Sequence, residues 1–255
     1  MNRLPVLLGP DPHAPFPDAE QALREPDGLL ALGGDLSPPR LLNAYRAGAF
    51  PWFNAGEPIL WWSPDPRAVF ATDGVRLSTR FRRALRGSGW TVRADTRFAE
   101  VVDACAHAPR AGQRGTWITD AMREAYVALH ALGYAHSIEV VDGERLVGGL
   151  YGVALGRMFY GESMFSADSG GSKVALAALA HRLCEWGWPL IDAQVENPHL
   201  RSLGAGRWPR ARFLASNAAL SAAPEPPGSW TARFGRLDAS ALATPSSRHD
   251  DRAPA

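Results

Sequence analysis

Residues 189–199, PLIDAQVENPH, set Asp192 and Gln194 two apart inside an otherwise apolar run. Side chains on an extended strand alternate faces, so these two point the same way, about 7 Å apart and within reach of each other. An unpartnered carboxylate or carboxamide in a core costs about 1–3 kcal/mol or more. A buried acid beside a buried amide therefore calls for a task.

Other candidate chemistries carry less. His136, Ser137 and Glu139 in HSIE and Ser163 in GESMF are hydrolase residue types, yet Phe165 stands where G-x-S-x-G needs its second glycine. His136 and Ser137 would also face opposite sides of one strand. SGGSKVAL sits at a strand-to-helix junction without phosphate-loop spacing, and without the Q/R-x-x-G-x-G/A run that grips a pyrophosphate. Asp168 would repel such a group. Lys173, in the first turn of that helix, opposes the helix dipole, which favours a role such as meeting a phosphate or a carboxylate. There is no HExxH, and Cys105 and Cys184 lie far apart, so no metal site is expected.

Two further groups could serve a nucleic acid. Arg76, Arg80, Arg82, Arg83, Arg86, Arg93 and Arg97 are opposed between 76 and 97 only by Asp95. They read either as a solvated face in an arginine-biased chain, where Lys173 is the one lysine among 27 basic residues, or as contacts to an RNA backbone. Trp52, Trp61 and Trp62, of nine tryptophans, cluster near the start. They suit core packing, or stacking on an unpaired base.

Positioning these residues takes a sheet with helices. PDGLLALGGDLSPPRLLNAYRAGAFPWF predicts a short helix capped by Ser37 and stopped by Gly48, and ILWWSPDPR leads into a strand, RAVFA. STRFRRALRG reads as a basic helix capped by Ser78, followed by the strand WTVRA. TRFAEVVDACAHA is a helix with Phe98, Val101, Val102 and Cys105 inward; TWITDAMREAYVALHALG is another, with Met122, Tyr126 and Leu129 inward. AHSIEVV and RLVGGLYGVAL flank Asp142-Gly143, a hairpin signal, and RMFYGESMFS follows. SKVALAALAHRLCEWG predicts a helix capped by Ser172 and ended by Gly187, returning into the strand WPLIDAQV. The class is α+β, and this order has the arrangement of GNAT-type acyltransferases, an analogy that by itself says little about function.

Composition narrows the setting. The 255 residues suit one large domain or two smaller ones, and 46% hydrophobic with 21% charged content is ordinary for a soluble globular chain. A net charge of +1 gives no general attraction to nucleic acid or membrane and leaves only local patches. MNRLPVLLGPDPHAPFP is too broken by proline for a signal peptide, and no run approaches the roughly 18 apolar residues of a membrane span. Two cysteines in apolar helical patterns read as reduced core thiols. A cytoplasmic protein without a membrane partner, acting as a monomer, is expected.

The motifs PDGLLALGGDLSPPRLLNAYRAGAFPWF, ILWWSPDPRAV, GTWIT, AHSIEV, LVGGLYGVALG, FYGESMFS and LIDAQVENPHLRSLGA occur in unbroken order, and together they resemble the leucyl/phenylalanyl-tRNA–protein transferases over about residues 14–215. The resemblance implies an enzyme that moves leucine or phenylalanine, less readily methionine, from aminoacyl-tRNA to the α-amino group of a protein beginning with Arg or Lys, marking it for degradation by the N-end rule. No cofactor is implied, because the ester to tRNA is already activated. The implied fold is a small N-terminal α/β domain, residues 1–65, and a GNAT-like catalytic domain, residues 66–220, whose mixed, mainly antiparallel sheet is flanked by helices. Residues 221–255 are expected as a mobile tail.

Residue by residue, the resemblance assigns Gln194 to handle the attacking amine and Asp192 to polarise it. Glu162 would hold the acceptor's positive charge and assist proton removal. Met158, Phe159, Met164, Leu176, Leu179, Leu183 and Ile191 match pocket positions for the apolar donor side chain, and Trp52 and Trp117 match aromatics near the terminal adenosine. Arg80, Arg82, Arg83 and Arg86 are the tRNA-contact candidates. The chain departs from the family at Ala193, which faces away, and at Gly170-Gly171, which predicts a looser loop. The segment before Trp117 is longer than usual. Two rivals remain: an acyl-CoA N-acyltransferase, which the missing pyrophosphate run opposes, and a non-catalytic RNA-binding module built on the arginines.

Overall fold

The computed structural model describes residues 4–108 and 116–244. Short apolar runs near the start pair as a four-stranded sheet: Val6–Leu8 (β1), Leu29–Gly33 (β2), Phe50–Pro51 (β3) and Leu60–Trp62 (β4), in the order β1-β2-β4-β3. Pro38–Arg46 (α1) lies between β2 and β3 in the chain. Its two leading prolines occupy first-turn positions whose N–H groups would have no helical partner anyway. Ser37 stands at the N-cap as expected, though its hydroxyl makes no capping bond.

The longer alternating runs form an eight-stranded sheet from Arg67–Ala71 (β5), Thr91–Ala94 (β6), Ala135–Asp142 (β7), Arg145–Leu155 (β8), Met158–Ser166 (β9), Leu190–Gln194 (β10), Gly206–Trp208 (β11) and Leu237–Asp238 (β12). The order is β11-β5-β10-β9-β8-β7-β6-β12, antiparallel throughout except that β10 runs parallel to β9. This is the mixed, mainly antiparallel sheet that the sequence predicted. Gly143 turns the β7–β8 hairpin at φ +59°, as Asp142-Gly143 signalled.

The helices are Thr79–Leu85 (α2), Phe98–His107 (α3), Asp120–Ala131 (α4), Gly171–Glu185 (α5), Pro198–Ser202 (α6), Arg210–Ser221 (α7) and Thr231–Phe234 (α8). One face of the large sheet packs on α5, whose Val174, Leu179 and Leu183 are buried with Phe159 and Ile191. The other face packs on α3 and α4 and shares a continuous apolar layer with α1 and the small sheet, through Leu41, Tyr45, Trp61, Val101, Tyr126 and Tyr160. No helix among the described residues is long and apolar enough to cross a membrane.

Two expectations need correction. The glycines at 170 and 171 are not a loose loop: both are buried, and Gly170 itself, at φ +93°, is the N-cap of α5 in place of Ser172. A Cβ on Gly170 would come within 2.3 Å of the Phe81 ring, and one on Gly171 within 2.3 Å of the Val147 carbonyl. The cap bond comes from the preceding strand, where Ser166 Oγ accepts the Ser172 N–H at 2.9 Å.

The segment expected as a mobile tail also packs, at least to residue 244. Trp230, Phe234, Leu237, Leu242 and Ala243 are buried in the α5-side core, and β12 pairs with β6. Trp230 stacks on His136 with ring centroids 3.9 Å apart, and its backbone N–H donates to Asp95 Oδ2 at 2.7 Å. The proline-rich linker composition masked these few large apolar side chains, whose burial is enough to order the segment. Residues 245–255, and residues 109–115 of the long segment before Trp117, lie outside the described residues.

Candidate active site

The geometry turns on the end of β10. Asp192 is fully buried, and Arg67 on β5 grips it with two hydrogen bonds, Nε to Oδ1 at 2.8 Å and Nη2 to Oδ2 at 2.6 Å. The guanidinium lies over the rings of Phe50 and Phe213, 4.8 and 4.4 Å from their centroids, and its Nη1 donates to the Gly48 carbonyl. A buried charge pair of this kind holds only when both partners are fully hydrogen-bonded.

Strand alternation breaks just beyond. Against β5, Asp192 pairs with Val69 but Gln194 pairs with Ala68, so one residue bulges, and Gln194 takes φ +59°, a left-handed conformation rare outside glycine. Asp192 Oδ1 holds that conformation by accepting the Gln194 backbone N–H at 2.9 Å. The hydrogen bond between the two residues therefore runs to the Gln194 backbone, and among the described residues no bond joins the Asp192 carboxylate to the Gln194 carboxamide. The Gln194 amide turns instead to Glu162, with Nε2 donating to Oε1 at 2.8 Å. Asp192 supports the backbone of Gln194 rather than its carboxamide.

Glu162 is on β9, buried, and its carboxyl has three hydrogen-bond partners. Besides Gln194, Tyr45 Oη of α1 lies 2.8 Å from Oε1 and Tyr126 Oη of α4 lies 2.6 Å from Oε2. Tyr45 reaches the site because it shares the buried face of α1 with Leu41 and Leu42; Tyr126 belongs to the inward stripe of Met122 and Leu129. Burial pushes the Glu162 carboxyl up to about 7, against the lowering effect of the Tyr126 and Tyr45 hydroxyls. Burial next to that carboxyl also pushes both tyrosines well above the ordinary range.

Comparison with known proteins identifies the family of the chain. The family model of the leucyl/phenylalanyl-tRNA protein transferase matches residues 69–218, and the model of its N-terminal domain matches residues 34–65. The chain belongs to the leucyl/phenylalanyl-tRNA protein transferase family. A relative of that name from Xanthomonas euvesicatoria pv. vesicatoria (strain 85-10) is 70% identical over 240 residues, covering 94% of this chain and 96% of the relative. Another, from Xylella fastidiosa (strain M23), is 64% identical over 235 residues, covering 92% of this chain and 97% of the relative. Among solved structures, L-PGS from Bacillus licheniformis matches at a TM-score of 0.36 and 16% identity, over 53% of this chain and 49% of that one, too distant to bear on the fold.

As a member of a transferase family the chain is an enzyme, and the remaining candidates can be placed around Glu162. Leu176, Leu179 and Leu183 of α5 are buried with Phe159 and Ile191 of the sheet, Met164 half-buried in the same layer, on the opposite sheet face from Glu162. Met158 is buried on the Glu162 side. Trp52 is exposed just after β3, and its carbonyl accepts Trp62 Nε1 at 2.7 Å; Trp117 is half-buried just before α4. Arg80, Arg83 and Arg86 are exposed on or just after α2 and Arg82 is half-buried; among the described residues no carboxylate pairs with any of the four. Lys173 lies over the Phe81 ring of α2.

Among the described residues the hydrolase candidates form no serine–histidine–acid relay. His136 Nδ1 bonds Asp95, and Ser137 Oγ bonds Glu139. Glu196 bridges Arg201 and Arg207, and Asn197 caps α6 by accepting the Leu200 N–H. Sequence reasoning passed over Arg67, Tyr45 and Tyr126. A charge at the head of the apolar run RAVFA was a signal that some buried acid must meet it. Tyr126 reads as an ordinary member of its helix stripe, and nothing near Tyr45 in the sequence marks it out.

Proposed function

We propose that this enzyme transfers leucine or phenylalanine, less readily methionine, from aminoacyl-tRNA to the N-terminal α-amine of a protein beginning with Arg or Lys, which then enters N-end rule degradation. The observation that carries the reading is the Gln194–Glu162 contact at the point where β9 and β10 part. β10 stops at Gln194, while β9, its parallel neighbour, runs on to Ser166. A GNAT-like catalytic domain and the domain division at about residue 65 belong to the same reading.

With Nε2 committed to Glu162, Gln194 has its carbonyl oxygen left to accept from an incoming amine; no partner for that oxygen occurs among the described residues. The acceptor ammonium, with an ordinary pKa near 7.7–8.0, needs only modest help to lose its proton, and alignment of amine and ester supplies much of the rate. The donor side chain is assigned to the apolar layer of Phe159, Met164, Leu176, Leu179, Leu183 and Ile191, with Met158 behind the strand. Such a pocket separates apolar side chains by only about 1–3 kcal/mol per methylene, so Leu, Phe and Met are all accepted. Trp52 and Trp117 are assigned to stacking on the terminal adenosine, and the α2 arginines to tRNA phosphates.

The test is labelling of an arginine-starting peptide by purified protein and leucyl-tRNA without ATP. Transfer supports the reading, and folded protein that gives no transfer refutes it.

A further inference from the structure

The Glu162 carboxyl and the Tyr45 and Tyr126 hydroxyls are three groups joined in a closed set by three contacts. Tyr45 Oη lies 2.8 Å from Glu162 Oε1, Tyr126 Oη 2.6 Å from Glu162 Oε2, and the two tyrosine oxygens 2.8 Å from each other. Each is a hydrogen-bond distance and needs one proton between its oxygens. A tyrosine hydroxyl carries one proton, and a carboxylate carries none. With Glu162 ionised, two protons must serve three contacts, and one pair of buried oxygens is left facing lone pair to lone pair. With Glu162 protonated the count closes: Glu162 Oε2–H donates to Tyr126, Tyr126 to Tyr45, and Tyr45 to Glu162 Oε1. The Gln194 amide adds a bond to Oε1 that needs no proton from the ring.

The surroundings agree. Tyr45 faces the carboxyl from α1, Tyr126 from α4 and Gln194 from β10, with Tyr151 of β8 beside the two tyrosines and Tyr160 on β9 itself. Asp192 of β10 adds a negative charge that would oppose a second one, and Arg67 is committed to Asp192. Among the described residues no cation pairs with Glu162.

We propose that Glu162 rests in its acid form, closed into a three-proton ring by Tyr45 and Tyr126, and serves the transfer as proton donor and acceptor rather than as a fixed negative charge for a cationic acceptor. The inference rests on the transfer reaction proposed above. The acceptor amine, having lost its ammonium proton to solvent, forms the C–N bond at the ester carbonyl. The C–O bond to ribose breaks, and the departing oxygen takes the Glu162 proton. The proton shed by the attacking nitrogen returns to the carboxyl, so the enzyme ends as it began. Reversing the three hydrogen bonds moves the acid proton between Oε2 and Oε1, so a proton taken at one oxygen is delivered from the other. Tyr45 and Tyr126 are positioning residues that act through Glu162.

The experiment is infrared spectroscopy of the free, full-length protein, wild type against Glu162→Gln, titrated across pH 7. The glutamine can fill all three contacts, donating to Tyr126 and accepting from Tyr45, so the variant folds. The expected result is a protonated-carboxyl C=O band on the acid side that disappears as the pH rises through about 7 and is missing from the variant. Burial also pushes the Glu139 carboxyl up, and whatever it contributes is common to both proteins and cancels in the difference. In Tyr45→Phe, loss of one donor to Oε1 shifts the Glu162 band to higher frequency. In the transfer assay Glu162→Gln lowers kcat and leaves KM for the peptide within about 2-fold.

Folded wild type and Glu162→Gln with identical spectra on the acid side would overturn the acid form. An unmoved band in folded Tyr45→Phe would remove Tyr45 from the ring. A raised KM with intact kcat would overturn the donor role in favour of charge recognition. Failure of the wild type to transfer at all would count against the proposed function and leave the spectral result standing.

Discussion

Arg67→Met removes the cation that neutralises Asp192 while keeping a long apolar side chain between Phe50 and Phe213. Asp192 has no exposed surface, and its remaining bond is to the Gln194 N–H. Leaving one member of a buried pair uncompensated costs about 3–5 kcal/mol. For a chain of this size each kcal/mol moves Tm by ~2–4 °C, so a fall of about 6–20 °C is expected. Asp192→Asn costs stability as well, because it strands the guanidinium, yet its Oδ1 can still accept the Gln194 N–H and keep the bulge. The double variant is expected to recover at least about 2 kcal/mol of the summed single losses, the signature of two residues in one contact. Urea unfolding followed by tryptophan fluorescence and circular dichroism gives all four stabilities, with coincident transitions as the check on a single cooperative step. An Arg67→Met midpoint equal to wild type, or single losses that simply add, would refute the reasoning. The same variants separate support from polarisation: if Asp192 acts by holding the backbone, the folded double variant keeps measurable transfer, and if its charge polarises Gln194, transfer is abolished.

Glu162→Gln should also change the pH dependence of stability. The folded carboxyl titrates at about 7 against an ordinary 4.5, so the folded state binds the proton more tightly. Its contribution is fully present below about 4.5 and is lost as the pH rises through 7, a change of about 3 kcal/mol. The Tm advantage of the variant should therefore widen between those limits and then level off; a gap constant with pH would contradict the assignment. Replacing Arg80, Arg82, Arg83 and Arg86 together by Ala should weaken tRNA binding and reduce the slope of log K against log salt by about 3–4, and an unchanged slope would take α2 out of the interface. Trp230→Ala should cost about 3–5 kcal/mol by emptying the space between His136 and α5, and an unmoved urea midpoint would show that the C-terminal segment is not anchored there.

Much of this architecture was legible because its signals are local. The Asp142-Gly143 turn, the stripes of α3 and α4 and the alternation in β7 to β9 depend on residues a few positions apart. What escaped depends on partners far along the chain. Nothing near Asp192 announces Arg67, and without that grip the alternation in LIDAQ reads straight through the bulge that turns Gln194 toward Glu162. Tyr126 had been placed inward, correctly, but a helix stripe does not say whether a hydroxyl at its centre meets another side chain or stops at the core boundary. The C-terminal segment escaped for the opposite reason: its average composition is that of a linker, and a few large side chains decide where it goes.

The Arg67–Asp192 pair spans 125 positions of sequence, and β5 pairs only with β10 and β11, both near the far end of the catalytic region. On a ribosome adding ~5–20 residues per second, Arg67 emerges about 6–25 s before its counter-charge exists. Until then a cation destined for a dry interior has to remain in water, and β5 cannot close onto the sheet. Completion of the candidate site is thus tied to synthesis of β10, and a nascent chain halted before residue 192 would carry an open sheet edge for chaperones or proteases to find.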